Sequence, residues 1–459
     1  MSLLSPSPPL SRRRAIERLG GGLGALGLGM LLGDESAAAP LPKMHFAPRA
    51  KRVIHLFMNG GPFQGDFFDP KPLLAKYAGQ RPKEVELRTE RATAGLLASP
   101  FKFTPRGQSG LPVSELLPQL GQHIDDLCIL RSLHADNPNH GPALYQMNNG
   151  TITPKRPSMG SWCLYGLGHE NANLPGYVVL CPGRPVRFAE LWSSAFLPAE
   201  FQGTYINHSN LDPQAMIPFL SNGRLDATSQ RQQLDLMQAL NREHLQERTG
   251  DGLLTARIEA LETAFRMQSE AAEAFDLRHE SDAVRTAYGK GEFANACLLA
   301  RRLAERGVRF TQIYYGNGQP WDTHNKHHES ARNLARTIDQ PIAALLSDLK
   351  QRGLLDETLV IWGGEFGRTP TSENGDGRDH NHHGFTMWLA GGGVRGGMTY
   401  GETDDFGFRA VQNKVHVHDL HATLLYLLGF DHEKLTYRYS GRDFRLTDVH
   451  GRVLKEIVA

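Results

Sequence analysis

Six short runs of nearly unbroken apolar character constrain this chain more than any other feature: residues 52–58, 127–131, 177–180, 308–315, 358–362 and 385–390. A strand with one wet face alternates apolar and polar residues, whereas these runs do not, so both of their faces are expected to be buried. Between them lie stretches with helical spacing of apolar residues, notably 230–248, 255–275, 330–352 and 418–428. The expected fold is α/β, a mainly parallel sheet sandwiched by helices. A proline-free, Leu-, Ala- and Glu-rich stretch at about 225–305 reads as a helical insertion.

The N-terminus reads as a targeting segment. Ser11-Arg12-Arg13-Arg14 precedes a weakly apolar run from Leu19 to Gly33, then Ser36-Ala37-Ala38-Ala39-Pro40. A basic head, short apolar core and small-residue exit make an export signal, and the paired arginines indicate the twin-arginine route. The expected organisation is a signal segment at 1–39 and one domain at 40–459, delivered to the periplasm or beyond the cell. The apolar run is short for a span, so no stable membrane span is expected after processing. A net charge of +1 in 459 residues gives no electrostatic basis for nucleic-acid binding. Cys128, Cys163, Cys181 and Cys297 are too far apart for a metal knuckle and read as buried thiols, although export would permit pairing.

Chemistry concentrates between Trp321 and His383. The chain reads Trp321-Asp322-Thr323-His324, then Gly363-Gly364-Glu365-Phe366-Gly367-Arg368, then Gly377-Arg378-Asp379-His380-Asn381-His382-His383. Imidazole and carboxylate are the natural ligands of divalent ions such as zinc or manganese. Loops just past strand ends are where an α/β sheet assembles a site. The other reading is a set of surface histidines on polar loops.

Several patterns resemble the alkaline-phosphatase and sulfatase superfamily. They are Asp356 to Gly367, Trp388-Leu389-Ala390-Gly391-Gly392-Gly393, and Val417 to Leu425. Phe57-Met58-Asn59-Gly60-Gly61-Pro62, Phe68-Asp69-Pro70-Lys71-Pro72, Arg156 to Trp162, Glu365 to Pro370 and Gly377-Arg378-Asp379-His380 resemble one subgroup, the sulfatase-like bacterial family called domain of unknown function 1501. The resemblance runs from about Lys51 to the C-terminus. It implies an alkaline-phosphatase-like fold and a divalent cofactor: zinc, manganese, calcium or magnesium. It also implies an anionic ester substrate, sulfated polysaccharide among the candidates.

Carried over residue by residue, the resemblance implies metal ligands at Asp322, His324, Glu365, Asp379, His380 and His383. Asn59, Asp66 and Asp69 become second-layer candidates, with ordinary turn chemistry as the other reading of the two aspartates. Several positions depart from the pattern. Asn59 replaces a ligand Asp, Phe366 replaces a ligand His, and Phe63 replaces a Ser. His140 stands where a Cys or Ser nucleophile would stand, so it is the candidate nucleophile or acid/base, with a buried hydrogen-bonding histidine as the other reading. Ser158 is another hydroxyl but equally a helix N-cap. Arg368 and Lys71 are candidates to steady an anion, or plain ion pairs. His416, His418 and His421 read as packing or capping. The expected function is hydrolysis of sulfate or phosphate esters. The alternative is a catalytically degenerate fold that binds extracellular glycans or proteins.

Overall fold

The computed structural model describes residues 41–217 and 224–247 and, from 261 onward, all but 263, 264, 267 and 269. The expected signal at 1–39 lies outside the described residues, as do 248–260 of the expected insertion. The sheet is built from β1 (Arg52–Phe57), β2 (Leu127–His134), β3 (Tyr177–Leu180), β4 (Thr204–Ile206), β5 (Phe310–Tyr314), β6 (Thr358–Gly363), β7 (Phe385–Ala390), β8 (Met398–Tyr400) and β9 (Val415–His416). Their spatial order is β8-β2-β7-β6-β1-β5-β3-β4, with β9 also on β2. Only β7 runs against its neighbours, β2 and β6. The other pairings are parallel, with β1 central between β5 and β6.

All six residues of β1, β6 and β7 are buried, which is why these strands show no alternation in sequence. Ile54, Leu56, Val360, Trp362 and Ile313 face one apolar cluster, shared with Ala296, Leu299 and Leu345. Val53, Phe57, Leu359, Ile361 and Tyr314 face another, shared with Leu144, Leu164 and Leu424. The main helices are α1 (His140–Asn149), α2 (Met159–Leu167), α3 (Ala227–Glu247), α4 (Glu292–Glu305), α5 (His327–Gln351) and α6 (Val417–Leu427). Helices α4 and α5 cover the first face; α1, α2 and α6 cover the second. Each aliphatic side chain so buried contributes roughly 1.5–3 kcal/mol. Helix α4 lies inside the stretch expected as an insertion, yet its Leu299 and Leu303 pack in the sheet's own core.

Helix ends follow local chemistry. The Asn139 side chain accepts from the Gly141 N–H at the start of α1, and Gly150 ends it in the left-handed region. Ser158 caps α2 by accepting from the Ser161 N–H, so its hydroxyl is occupied structurally. His416 caps α6, while His418 and His421 donate to the Gly150 and Met147 carbonyls. All four cysteines are free and buried. Among the described residues, no helix is long and apolar enough to cross a membrane.

The second face carries buried histidines. His55 on β1 has no hydrogen-bond partner on either ring nitrogen among the described residues, and burial pushes it down to about 3. Burial also lowers His421 on the same face to about 3 and, beyond β4, His208 to about 4. In each case the unfolded chain binds the proton more readily than the native protein. Stability is therefore full above about pH 6.5 and falls as the pH drops toward the folded values. A group held near 3 contributes a loss of about 2 kcal/mol by pH 5. Urea unfolding at pH 7 and pH 5 should show this fall, and His55→Leu should flatten it by about that amount. An equally steep fall in the variant would remove His55 from the account.

Candidate metal centre

The carboxyl ends of β1, β2, β5 and β6 lead into four loops that meet above the sheet. After β1 come Asn59-Gly60-Gly61; after β6 come Gly364-Glu365-Phe366; after β5 comes the turn Asp322–His324; after β2 comes His140 at the start of α1. A buried hairpin, Gly367–Glu373 paired with Gly377–Asn381, supplies Arg368, Glu373, Asp379 and His380. Its charged, glycine-bounded sequence resembles a loop, and the reading above placed no strands there.

The turn at Asp322–His324 is held by close backbone approach. A Cβ at Gly60, where φ is +113°, would stand 2.4 Å from the Asp322 nitrogen, and a Cβ at Gly377 would stand 1.8 Å from the His324 oxygen. Only glycine fits either position. Between them, the Asp322 and His324 side chains enter one space.

Asp322 Oδ1 is the focus of that space. Arg368 Nη2 lies 2.6 Å from it, His324 Nε2 2.8 Å, His380 Nε2 3.1 Å and His140 Nε2 3.3 Å. His324 Nε2 and His380 Nε2 are 3.1 Å apart. The far nitrogen of each imidazole is anchored. His140 Nδ1 meets Glu365 Oε1 at 2.6 Å, and Glu365 is fully buried and also accepts from the Gly60 N–H. His324 Nδ1 meets Glu373 Oε2 at 2.5 Å. His380 Nδ1 meets Glu90 and, at 2.8 Å, the Pro138 carbonyl. An anchor on Nδ1 fixes the ring and leaves Nε2 facing inward, the arrangement that carboxylate partners impose on metal-binding histidines.

The electrostatics follow from this crowding. Burial pushes the Asp322 carboxyl up, but hydrogen bonds from His140, His324 and His380 and the Arg368 charge outweigh it and hold it far below the usual range. Burial opposes charge on His140, yet the Asp322 and Glu365 carboxylates raise it to about 9. His324 is raised in the same way by Asp322 and Glu373, while burial and the Arg368 and His140 charges lower His380.

A divalent ion fits these residues. His140, Asp322 and His380 form one group able to converge on an ion; His324, Asp379 and His380 form another. Asp379 Oδ1 is buried without a hydrogen-bond partner among the described residues. A tetrahedral zinc site with bonds near 2.0–2.1 Å has ligand–ligand edges of about 3.3–3.4 Å. The observed separations from Asp322 Oδ1 to the three imidazoles, 2.8–3.3 Å, are close to that spacing.

Other expected residues lie elsewhere. Glu365 sits behind His140 and joins neither group. His383 faces the Arg88 carbonyl at 3.0 Å, beside Phe408. Asp69 pairs with Lys71 at 3.1 Å and accepts from Thr403, so Lys71 has a structural partner. Asp66 bonds to His327 at 2.7 Å. Asn59 donates to the Gly318 carbonyl. Phe366 places its ring 4.8 Å from both His140 and His380 and walls the site. Glu90 and Glu373 were missed, because an isolated glutamate outside a motif carries no signal of its own.

Of the two roles expected for Arg368, steadying an anion or forming a plain ion pair, its contacts match the second. It is fully buried and donates to the Gly60 and Gly61 carbonyls as well as to Asp322.

The sheet carries helices on both faces, and its strand ends carry a His- and carboxylate-lined centre, which together define an α/β protein with a candidate metal site. The chain belongs to the family described as "Protein of unknown function (DUF1501)", whose profile matches residues 50–458. It is similar to Ps i-CgsB solved with k-i-k-neocarrahexaose, at 9% identity and a TM-score of 0.37, over 83% of this chain and 72% of that one. It is similar to the lipoteichoic acid synthase LtaP from Listeria monocytogenes, at 9% identity and 0.36, over 92% and 80%. A protein in the alkaline phosphatase superfamily from Vibrio parahaemolyticus gives 11% and 0.36, over 90% and 76%. A comparison with curated proteins gives no match.

Replacing Arg368 strands two buried glycine carbonyls and takes the guanidinium partner from the half-buried Asp322. Arg368→Leu should lower the stability of the metal-free protein by about 3–5 kcal/mol. Urea unfolding measures this, and unchanged stability would return Arg368 to a substrate-facing role.

Proposed function

We propose that the protein is an exported, metal-dependent hydrolase of sulfate or phosphate esters, with sulfated polysaccharide among its candidate substrates. One observation carries this reading: three imidazoles, each anchored at Nδ1, converge through Nε2 on Asp322. Asp322, His324 and His380, whose inward atoms lie within 3.1 Å of one another, would hold a divalent ion, with His140 and Asp379 each completing a candidate group beside them. A donor set that mixes imidazole with carboxylate favours zinc first and manganese next over calcium or magnesium, which take oxygen ligands. When bound, such an ion supplies the positive charge that neutralises the oxygens of an anionic ester.

The chain's own residues prepare that site. Glu365, Glu373 and Glu90 keep the three Nε2 atoms turned inward. Arg368 holds Asp322 and the Gly60-Gly61 backbone in one frame. Phe366 closes the wall between His140 and His380. Arg12, Arg13 and Arg14 support export by the twin-arginine route, which carries folded proteins and suits a cofactor loaded before export.

A binding module without turnover is the second reading, and one feature favours it. Helix α1 begins with His140 instead of a hydroxyl or thiol residue, and Asn139 already caps the Gly141 amide.

The test is metal analysis of the purified protein followed by assays with aryl sulfates and aryl phosphates. Stoichiometric zinc or manganese is expected, together with turnover that chelation removes and metal restores. His324→Ala should lose both. Metal without turnover on any ester would favour the binding module. No metal, with stability indifferent to chelation, would sink the hydrolase reading.

A further inference from the structure

Behind the turn that presents Asp322 and His324 lies a second, separate row of polar groups. Thr323 Oγ1 is 2.6 Å from His327 Nδ1, and His327 Nε2 is 2.7 Å from Asp66 Oδ2. All three residues are buried. The row crosses three parts of the chain: the turn, the first residue of α5, and the short helix Gln64–Asp66 that follows β1.

The direction of the row follows from the chemistry. Burial outweighs the Asp66 carboxylate and lowers His327 to about 4, so the ring is neutral and has one N–H. Asp66 is held below its usual range despite burial, by His327 and by the Arg378 charge, and is therefore an acceptor only. The N–H goes from Nε2 to Asp66. Nδ1 is left to accept, and the Thr323 hydroxyl donates to it.

Thr323 is the middle residue of the turn, and the His324 N–H reaches back to the Asp322 carbonyl at 3.2 Å. Asp322 and His324 therefore point into the metal centre while Thr323 points out of its back. Phe63, which stands where the family pattern has a Ser, packs against His327 with ring centroids 6.0 Å apart and lies 3.8 Å under the Arg378 guanidinium. An apolar wall on this side keeps water from competing for the row's hydrogen bonds.

We infer that Thr323, His327 and Asp66 form a positioning relay that fixes the Asp322–His324 turn from behind and so sets the orientation of two metal ligands at once. His327, which lies within the His-rich stretch 321–383, is thus a positioning residue and not a ligand. The inference rests on the metal reading for its consequence, but the ordering of the turn is a property of the protein alone.

The experiment compares Thr323→Val, which keeps shape and removes the hydroxyl, with Thr323→Ser, which keeps the hydroxyl. Asp66→Asn serves as a second break in the row. Two readouts are taken on the full chain: zinc affinity by chelator competition, and amide hydrogen exchange of the segment 320–326. Thr323→Val should weaken zinc binding roughly 10–100-fold, as losses behind metal ligands do. Exchange in 320–326 should quicken at least as strongly, and Thr323→Ser should stay close to the parent protein in both. Parent-like affinity and exchange in Thr323→Val would overturn the relay. So would weakened zinc binding with unchanged exchange, because the effect would then bypass the turn. If the parent binds no zinc but Thr323→Val still loosens 320–326, the relay stands and the metal reading falls.

Discussion

One carboxylate oxygen organises this protein's functional end. Asp322 Oδ1 faces a guanidinium and three imidazoles, all within 3.3 Å. Removing so much charge from water is expensive unless every partner is itself satisfied. The surrounding structure meets that requirement. Arg368 is shared with two glycine carbonyls, and each imidazole has an acceptor at its back. The glycines at 60 and 377 are needed for the same reason, since they let the backbone come close enough for Asp322 and His324 to reach the centre. The tight backbone and the charge cluster are one constraint seen at two scales.

The sheet was legible because burial on both faces leaves an unmistakable trace. β1, β3, β5, β6 and β7 all lie where continuous apolar runs occur. The short strands β4, β8 and β9 leave no such trace, because two or three residues at a sheet margin are too few for periodicity to show. The hairpin Gly367–Asn381 misled for a different reason. Every residue of its two strands is buried, but its burial is satisfied by hydrogen bonds and ion pairs, so its sequence looks like a solvated loop. Arg378, for example, donates to the Thr369 and Leu97 carbonyls while its guanidinium covers Phe63.

At the site, the clustering of His and Asp was readable but the assignment of roles was not. Asp322, His324, Asp379 and His380 come together. Glu365 looked equally suitable and lies one layer out, on the far side of His140. Composition and spacing cannot separate these cases, because a ligand and the residue that orients a ligand use the same functional groups. The difference is which side of an imidazole the carboxylate occupies, and that depends on backbone approach at Gly60 and not on the identity of residue 365.

The departures from the family pattern then acquire a common physical meaning. Phe366 and Phe63 occupy positions where a ligand and a hydroxyl were expected, and each instead builds an apolar wall beside a polar row. Dry walls strengthen the hydrogen bonds they enclose and raise the cost of any bond left unmade. The hairpin supplies His380, Asp379 and Glu373 to the site, beside Asp322, His324 and His140 from the strand-end loops. A centre built this way joins rigid strand ends on one side to a ribbon held by side-chain bonds on the other. Its geometry therefore depends less on the sheet, which the core secures, than on whether the Asp322–His324 turn stays clamped between the two.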